Sequence, residues 1–206
     1  MWPRRVNPDD PVAESAGVPG EVGEDVLERL RRGDIAALEE LYHFYGNRVF
    51  RVCLGILGNR DDAEDATQEV FLRVFEQSSK FSGRCLFSTW LLRLGANHTL
   101  NMVKAAGRRS RLSRPLANDL VCPAPAPEHS SIAAERRAAI VDLLQQLPAE
   151  QRQVVVLREM EGLSYADLAE VLGVPVGTVT SRLIRGRDKL RELARDGGPA
   201  DFFATD

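Results

Sequence analysis

Apolar residues recur at intervals of three and four along most of this 206-residue chain. From about residue 24 onward, leucines, valines and isoleucines keep this spacing through successive segments, which places them on one face of a helix with 3.6 residues per turn. Gly58-Asn59, Pro148, Gly162 and Gly173 interrupt the pattern, and such residues commonly end helices. The spacing therefore predicts an all-α fold in which each helix buries one face.

The helical segments form two blocks that are separated by a stretch of different composition. The first residues are rich in Pro, Gly and acids, which is typical of a mobile tail. Between the blocks the periodicity is lost and Pro alternates with Ala at residues 123–127, a composition that favours extended chain. We therefore expect two small helical domains joined by a flexible linker: tail 1–24, domain 25–107, linker 108–132, domain 133–195 and tail 196–206.

Charge is strongly segregated along the chain, although the formal net charge is only -3. Residues 61–76 carry six acids against the single base Arg73, whereas residues 80–114 carry eight bases and no acid. Such segregation predicts two charged faces that meet two different partners. The basic face is suited to nucleic acid, which a net charge near neutrality conceals.

Three cysteines, Cys53, Cys85 and Cys122, are widely spaced and lack the CxxC or Cys/His spacing of a zinc site, so we interpret them as reduced thiols. The N-terminus lacks the pattern of a signal peptide, and no apolar run approaches the roughly 20 residues that span a bilayer. These features predict a soluble, cytoplasmic protein without a metal or cofactor.

Residues 163–190 have the pattern of a helix-turn-helix. Ser164 and Asp167 have the spacing of a capping box, and Gly173 is suited to the left-handed conformation of the tight turn. Val176, Val179, Leu183 and Leu190 are predicted to face inward. The opposite face would read DNA in the major groove, and it comprises Thr178, Thr180, Ser181, Arg182, Ile184, Arg185 and Lys189. The alternative is a helical hairpin with a solvated basic surface.

Aromatic and basic residues alternate in residues 80–104, a combination that suits single-stranded nucleic acid. Cations hold the phosphate backbone, rings stack on bases, and an Asn can bond the edge of a base turned out of the duplex. Trp90 is expected to be core, and Asn97 and Asn101 can also be read as polar surface. The absence of acid throughout this segment favours the nucleic-acid interpretation.

Several strings in both blocks match a known family. Residues 62–75 (DAEDATQEVFLRVF), 81–83 (FSG) and 88–97 (STWLLRLGAN) closely resemble domain 2 of bacterial sigma factors of the extracytoplasmic-function (ECF) group, in the sigma-70 family. Leu147-Pro148 and residues 177–185 (GTVTSRLIR) resemble domain 4 of the same factors. The two resemblances occur in order and together span roughly residues 25–195.

The resemblance implies a subunit of RNA polymerase that recognises the -35 promoter element through domain 4 and melts the -10 element through domain 2. It assigns core docking, on the clamp helices of the largest polymerase subunit, to Asp62, Asp65, Gln68, Glu69 and Arg73. It assigns contact with -10 DNA to Phe81, Arg84, Phe87, Arg93, Asn97, Asn101, Lys104, Arg108 and Arg109. Within domain 4 it places Thr180, Ser181, Ile184 and Arg185 at base-reading positions, and it implies regulation by an anti-sigma factor.

Two other classes of protein stay open at this point. A conventional helix-turn-helix regulator would use residues 25–105 to sense a ligand or to dimerise. An enzyme acting on nucleic acid would bind Mg²⁺ through acids of residues 61–65, but the chain has no accompanying phosphate cradle or base. The sigma-factor hypothesis itself predicts no catalytic residue.

Overall fold

The three- and four-residue spacing produces helices throughout the parts of the chain that the structure, a computed structural model, describes. These parts are residues 21–112 and 132–195, and they contain no strand, so the all-α prediction is confirmed. The helices are α1 (Glu24–Arg31), α2 (Ile35–Leu57), α3 (Arg60–Gln77), α4 (Phe87–Leu112), α5 (Ile132–Gln145), α6 (Ala149–Glu161), α7 (Tyr165–Leu172) and α8 (Val176–Arg195). A short 3-10 turn, Ser78–Lys80, follows α3.

The predicted break between α2 and α3 has a clear local cause. Gly58 ends α2 with a φ of 79°, in the left-handed region that glycine adopts without steric cost. Asn59 then caps α3, because its side-chain oxygen accepts hydrogen bonds from the backbone N–H groups of Asp61 and Asp62. The two acids in this first turn also lie at the positive end of the helix dipole.

Two predicted boundaries are wrong. Helix α4 continues to Leu112 instead of ending near Lys104, since Ala105, Ala106 and the following arginines are good helix formers and the single Gly107 does not stop them. The predicted tail of residues 1–24 includes Val22, which packs on the N-terminal core and donates a backbone hydrogen bond to the hydroxyl of Tyr45. The other predicted tail and linker residues, 1–20, 113–131 and 196–206, lie outside the described residues.

Helices α1 to α4, here called the N-terminal helices, enclose one apolar core. Leu41, Tyr45 and Val49 of α2 pack there against Val70 and Phe71 of α3, together with apolar residues of α1 and α4. These five residues are all buried, and those of α2 recur at four-residue intervals. The core thus accounts for the first block of apolar periodicity.

Helices α5 to α8, the C-terminal helices, enclose a second core that is continuous with the surfaces of α2 and α4. Val52 and Ile56 of α2 and Leu92 and Ala96 of α4 belong to the same buried cluster as the apolar residues of α5 to α8. The two helical units therefore pack against each other, an arrangement the linker composition did not predict. Its physical reason is that α2 and α4 each carry apolar residues on a second face.

The capping box predicted at the start of α7 is present. Asp167 donates its backbone N–H to the Ser164 hydroxyl oxygen over 3.1 Å, and Ser164 donates its own N–H to the Asp167 carboxylate over 3.1 Å. Two N–H groups that the helix cannot satisfy by itself thus find partners. Because α7 is only eight residues long, the first turn that this cap stabilises is a large part of the helix.

We predict that Ser164→Ala lowers the free energy of unfolding by about 1 kcal/mol, because the helix end loses its acceptor. Urea denaturation followed by circular dichroism measures the change. Ser164→Thr, which keeps the hydroxyl, is the matched control and should stay within about 0.5 kcal/mol of the parent. Equal losses in the two variants would contradict the capping role.

Candidate nucleic-acid and partner surfaces

The acidic residues of α3 lie on one exposed face of the helix. Ala63, Ala66, Val70 and Val74 bury the opposite face, which leaves the predicted docking residues in solvent. All five predicted residues are exposed and share this face: Asp62, Asp65, Gln68, Glu69 and Arg73. The structure therefore brings the complete predicted set together.

An apolar groove runs beside this acidic face, and sequence reasoning missed it. Leu38 and Tyr42 of α2 line it together with Phe71 and Leu72 of α3, and Leu72 leaves 59% of its surface exposed. Gln68 of the predicted docking set lies on the rim of the same groove. No sequence signal identifies the groove, because it forms only where two separate helices pack side by side.

The predicted basic and amide residues of α4 form one exposed stripe. Their steps of four, four, three and four residues keep them on a single helix face, and all are exposed: Arg93, Asn97, Asn101, Lys104 and Arg108. Arg109 follows on the same helix, and Arg84 is exposed in the loop before it. The stripe carries cations at both ends and amides in the middle, so it can contact phosphates and base edges together.

The predicted base-stacking role of Phe81 and Phe87 is not supported by their positions, because both rings are buried. Their centroids lie 5.4 Å apart in an edge-to-face contact, and each ring also packs on Trp90. The half-buried Trp90 is part of this core cluster, as expected. We correct the assignment accordingly: the two phenylalanines support the loop from beneath and do not present a stacking surface.

His98 is a second feature that the sequence did not reveal. Its side chain is buried on α4, and Nε2 lies 3.3 Å from the Glu69 carboxylate of α3. Burial lowers the pKa of His98, Arg73 lowers it further, and Glu69 opposes them by raising it. The imidazole is therefore neutral at neutral pH, and its Nε2 lacks a hydrogen bond of normal geometry. His98 thus lies against the predicted docking helix from the helix that carries Asn97.

The predicted helix-turn-helix is formed by α7 and α8. Gly173 takes a φ of 64° at the turn, and Val179, Leu183 and Leu190 are buried as expected. Val176 was predicted to face inward but is 47% exposed. Val176 is the first residue of α8, directly after the turn, and its side chain is not among the buried residues of this helix.

The predicted reading residues of α8 differ in exposure. Ile184, Arg185 and Lys189 are exposed, with Lys189 paired to Glu192, whereas the other four are half-buried: Thr178, Thr180, Ser181 and Arg182. The Thr180 and Ser181 hydroxyls donate to carbonyls of their own helix, each over 3.0 Å. With their protons engaged in this way, the two hydroxyls can act only as acceptors, which suits donors on base edges.

Comparison with known proteins identifies the family of both helical units. Residues 41–109 match the model of sigma-70 region 2, and residues 137–190 match that of sigma-70, region 4. The chain is 30% identical over 178 residues to the ECF RNA polymerase sigma factor SigW of Bacillus subtilis, covering 82% of this chain and 95% of the relative. It is 33% identical over 178 residues to the RNA polymerase sigma-H factor of Pseudomonas aeruginosa, covering 82% and 92%.

The chain belongs to the sigma-70 family of RNA polymerase sigma factors, in its ECF group. It is an alternative sigma factor that directs transcription initiation at promoters. The match of residues 41–109 to sigma-70 region 2 leaves no support for a ligand-sensing or dimerisation domain there. Sigma factors are transcription initiation factors.

Solved structures share the fold. The structure of CnrH in complex with the cytosolic domain of CnrY aligns with a TM-score of 0.61 and 24% identity over 84% of this chain and 96% of that chain. RpoE of Bartonella quintana, in complex with the anti-sigma factor NepR, aligns with a TM-score of 0.61 and 24% identity over 76% and 96%. In the described part of this sigma factor, no helix is both long enough and apolar enough to cross a membrane.

We predict that His98 makes stability depend on pH. Its pKa in the folded protein lies below its ordinary value of 6.5, so the unfolded chain binds the proton more readily. The stability that it contributes is complete above pH 6.5 and is lost as the pH falls through the folded pKa. Urea unfolding at a series of pH values should show this loss in the parent.

Replacing His98 by Gln should remove that part of the pH dependence. The matched control is His43→Gln, which deletes an exposed imidazole on α2 and should leave the dependence in place. If His98→Gln retains the same loss of stability on acidification, another group is responsible. Glu69→Gln should lower the His98 pKa further, measured by NMR titration, because the carboxylate that raises it is gone.

Proposed function

We propose that the acidic face of α3 and the adjoining apolar groove bind the clamp helices of the largest subunit of RNA polymerase. The support is the grouping of the exposed Asp62, Asp65 and Glu69 beside the exposed Tyr42 and Leu72. An interface of this kind uses buried apolar contacts for affinity and charged contacts at the rim for orientation. Basic residues on the clamp helices are the expected partners of the carboxylates.

The α4 stripe binds the -10 element in this proposal. Arg93, Lys104 and Arg108 hold phosphates, with Arg84 and Arg109 extending the contact along the strand. Asn97 and Asn101 bond the edges of bases that leave the stack as the duplex melts. The loop of residues 81–87, supported by the buried aromatic cluster, forms the wall of the pocket that receives a flipped base.

Helix α8 binds the -35 element in the major groove. Arg185 can donate two parallel hydrogen bonds to guanine, the exposed Ile184 can contact a thymine methyl, and Thr180 and Ser181 can accept from base edges. Thr178, Arg182 and Lys189 contact the phosphate backbone on either side. The four base-reading residues therefore supply sequence preference, and the other three supply affinity.

The remaining assignments follow from this role. The sigma factor works in the cytoplasm, where polymerase is, and catalyses no step of its own. Residues 25–107 act as domain 2 and residues 133–195 as domain 4. RpoE is solved with an anti-sigma factor, and we extend this partner class to the present chain: a protein that covers the docking and DNA surfaces until it is removed.

Transcription with purified core polymerase tests the proposed function. On fragmented genomic DNA, the full chain plus core should start RNA synthesis at a defined set of sites, whose upstream regions share -35 and -10 sequences. Core alone is the control and should start at none of these sites. If the added chain brings no new start sites on any fragment, the proposal fails.

Within such a promoter, we predict that Arg185→Ala costs about 1 to 3 kcal/mol of binding and relaxes the preference at one -35 position, because a bidentate base contact is lost. Lys189→Ala is the matched control on the same helix. It should weaken binding evenly across promoter variants. It should also reduce the slope of log binding constant against log salt concentration by about one, because one phosphate contact is lost. Competition binding against a panel of -35 variants measures both, and an even loss for Arg185→Ala would contradict its base-reading role.

A further inference from the structure

Two residues that precede α1 are tied into the core of the N-terminal helices. Val22 donates its backbone N–H to the Tyr45 hydroxyl oxygen over 3.3 Å, and that hydroxyl donates to the Glu21 carboxylate over 3.3 Å. Burial raises the pKa of the Tyr45 phenol, and the charge of Glu21 raises it further, so the hydroxyl keeps its proton and can donate. Because Tyr45 is only 1% exposed, Glu21 supplies an acceptor that water cannot easily replace.

The same carboxylate oxygen of Glu21 also reaches the beginning of α4. It accepts the backbone N–H of Ser88, the second residue of this helix, over 3.4 Å. The first N–H groups of a helix have no partner within it, and a carboxylate is favoured at this positive end of the helix dipole. Glu21 therefore holds Tyr45 of α2 and the start of α4 together, although Ser88 lies 67 positions away along the chain.

Helix α4 begins at a residue that cannot cap it. The Leu86 carbonyl accepts the first bond of the helix, from the Trp90 N–H over 3.1 Å, which makes Leu86 the N-cap residue. Leucine has no side-chain oxygen and is among the poorest N-cap residues, and the first turn of α4 contains no acid. Three other helices, α2, α3 and α7, are capped locally by Asp34, Asn59 and Ser164. An N-cap oxygen normally accepts from the second or third N–H, so Glu21 takes the place of the missing side chain.

The proposed pocket for the -10 base lies at this same helix start. The loop of residues 81–87 leads directly into α4, and the buried Phe87 ring packs on Tyr45 with centroids 5.7 Å apart. Arg93 and Asn97 of the α4 stripe follow within the next three turns of the helix. Helix ends fray when their N–H groups lack partners. Loss of the bond to Glu21 would therefore loosen the loop and the first turn of α4 together.

The charge of Glu21 is unfavourable for a DNA surface. Residues 80–114 contain no acid, and a carboxylate beside them weakens the attraction of this surface for phosphates. Glu21 is nevertheless half-buried there, with one oxygen engaged by both Tyr45 and Ser88. A glutamate that served solubility alone would be exposed and would need neither partner. The two bonds that Glu21 accepts therefore explain its position better than its charge does.

We propose that Glu21 is a positioning residue for the -10 element: it caps α4 from outside the helix and holds the loop of residues 81–87 in the form that receives a flipped base. The role of the loop rests on the proposed function, whereas the cap itself does not. Glu21 makes no contact with DNA in this scheme. It acts through the start of α4, so its loss should impair melting and spare the docking of core polymerase on α3.

Hydrogen exchange in the free full-length chain tests the cap. In Glu21→Ala the Ser88 amide should exchange about five- to tenfold faster than in the parent, as measured by NMR, because its acceptor is gone. Glu21→Gln should stay within about twofold of the parent, since its amide oxygen can accept the same bond. Asp25→Ala, which removes an exposed carboxylate from the first turn of α1, is the control and should leave the rate unchanged. An unchanged Ser88 rate in Glu21→Ala would overturn the cap.

Melting is then measured with core polymerase on a promoter identified by the transcription experiment. The promoter carries 2-aminopurine at each -10 position in turn, and its fluorescence rises as that base leaves the stack. Glu21→Ala should lower the equilibrium constant for melting about five- to tenfold, while its affinities for core and for -35 DNA stay within about twofold of the parent. Glu21→Gln should recover most of the melting, and Asp25→Ala should lose none.

The alternatives give different results. Equal losses of melting in Glu21→Ala and Glu21→Gln would show that the charge acts and not the bond, which overturns the positioning role. A loss of core binding as large as the loss of melting would overturn it as well, because the effect would then be general. If the parent melts no promoter with core, the proposed function fails instead, and the Ser88 exchange rates still decide whether the cap exists.

A local cap should make Glu21 dispensable. Leu86→Ser places a hydroxyl at the N-cap position, where it can accept from the N–H of Ser88 or Thr89. In that background Glu21→Ala should lower melting less than about threefold, because the two substitutions act on the same helix end and are not additive. The comparison holds whatever Leu86→Ser does by itself, since both members of each pair carry the same loop. Circular dichroism and thermal unfolding check that every variant stays folded. An equal cost of Glu21→Ala in both backgrounds would overturn the inference.

Discussion

The last turn of helix α2 ends in carbonyl groups that the helix cannot satisfy, and the C-terminal helices supply the missing donors. Arg152 and Gln145 bond the carbonyls of Ile56 and Gly55, and the apolar residues around them complete the burial. This contact fixes α6 against α2. Since α7 and α8 pack on α4 and α6, the placement of the helix-turn-helix relative to the rest of the molecule depends on it.

Helix packing also explains how surfaces of opposite charge coexist in a chain with a net charge of only -3. Helices α3 and α4 pack against each other through their apolar faces, so the acids of α3 and the bases of α4 lie on separate outer surfaces. His98 and Glu69 meet between them. Mixed charges on one face would weaken the attraction of that face for any partner of opposite charge.

Local features of the fold were predictable because their causes are local. The capping box of Ser164, the left-handed Gly173 and the helix break at Gly58 each depend on a few neighbouring residues. Surface position within a helix was predictable as well, as the exposed stripe through Arg93 and Asn97 shows. The errors at Val176, at the end of α4 and at the two buried phenylalanines all lie at or just outside helix ends, where the spacing of apolar residues gives no guidance.

The sequence by itself determined the helices, their breaks and the charged faces, because short-range spacing encodes them, and its resemblance to sigma-factor strings indicated the family. Only the tertiary structure decided that Tyr42 and Leu72 flank a groove, that His98 is buried beside Glu69, and that Arg152 and Gln153 bind α2 and α4. The physical reason is the distance along the chain. Gln153 and Ala96 are far apart in sequence, and no local pattern records which distant carbonyl a buried donor will find.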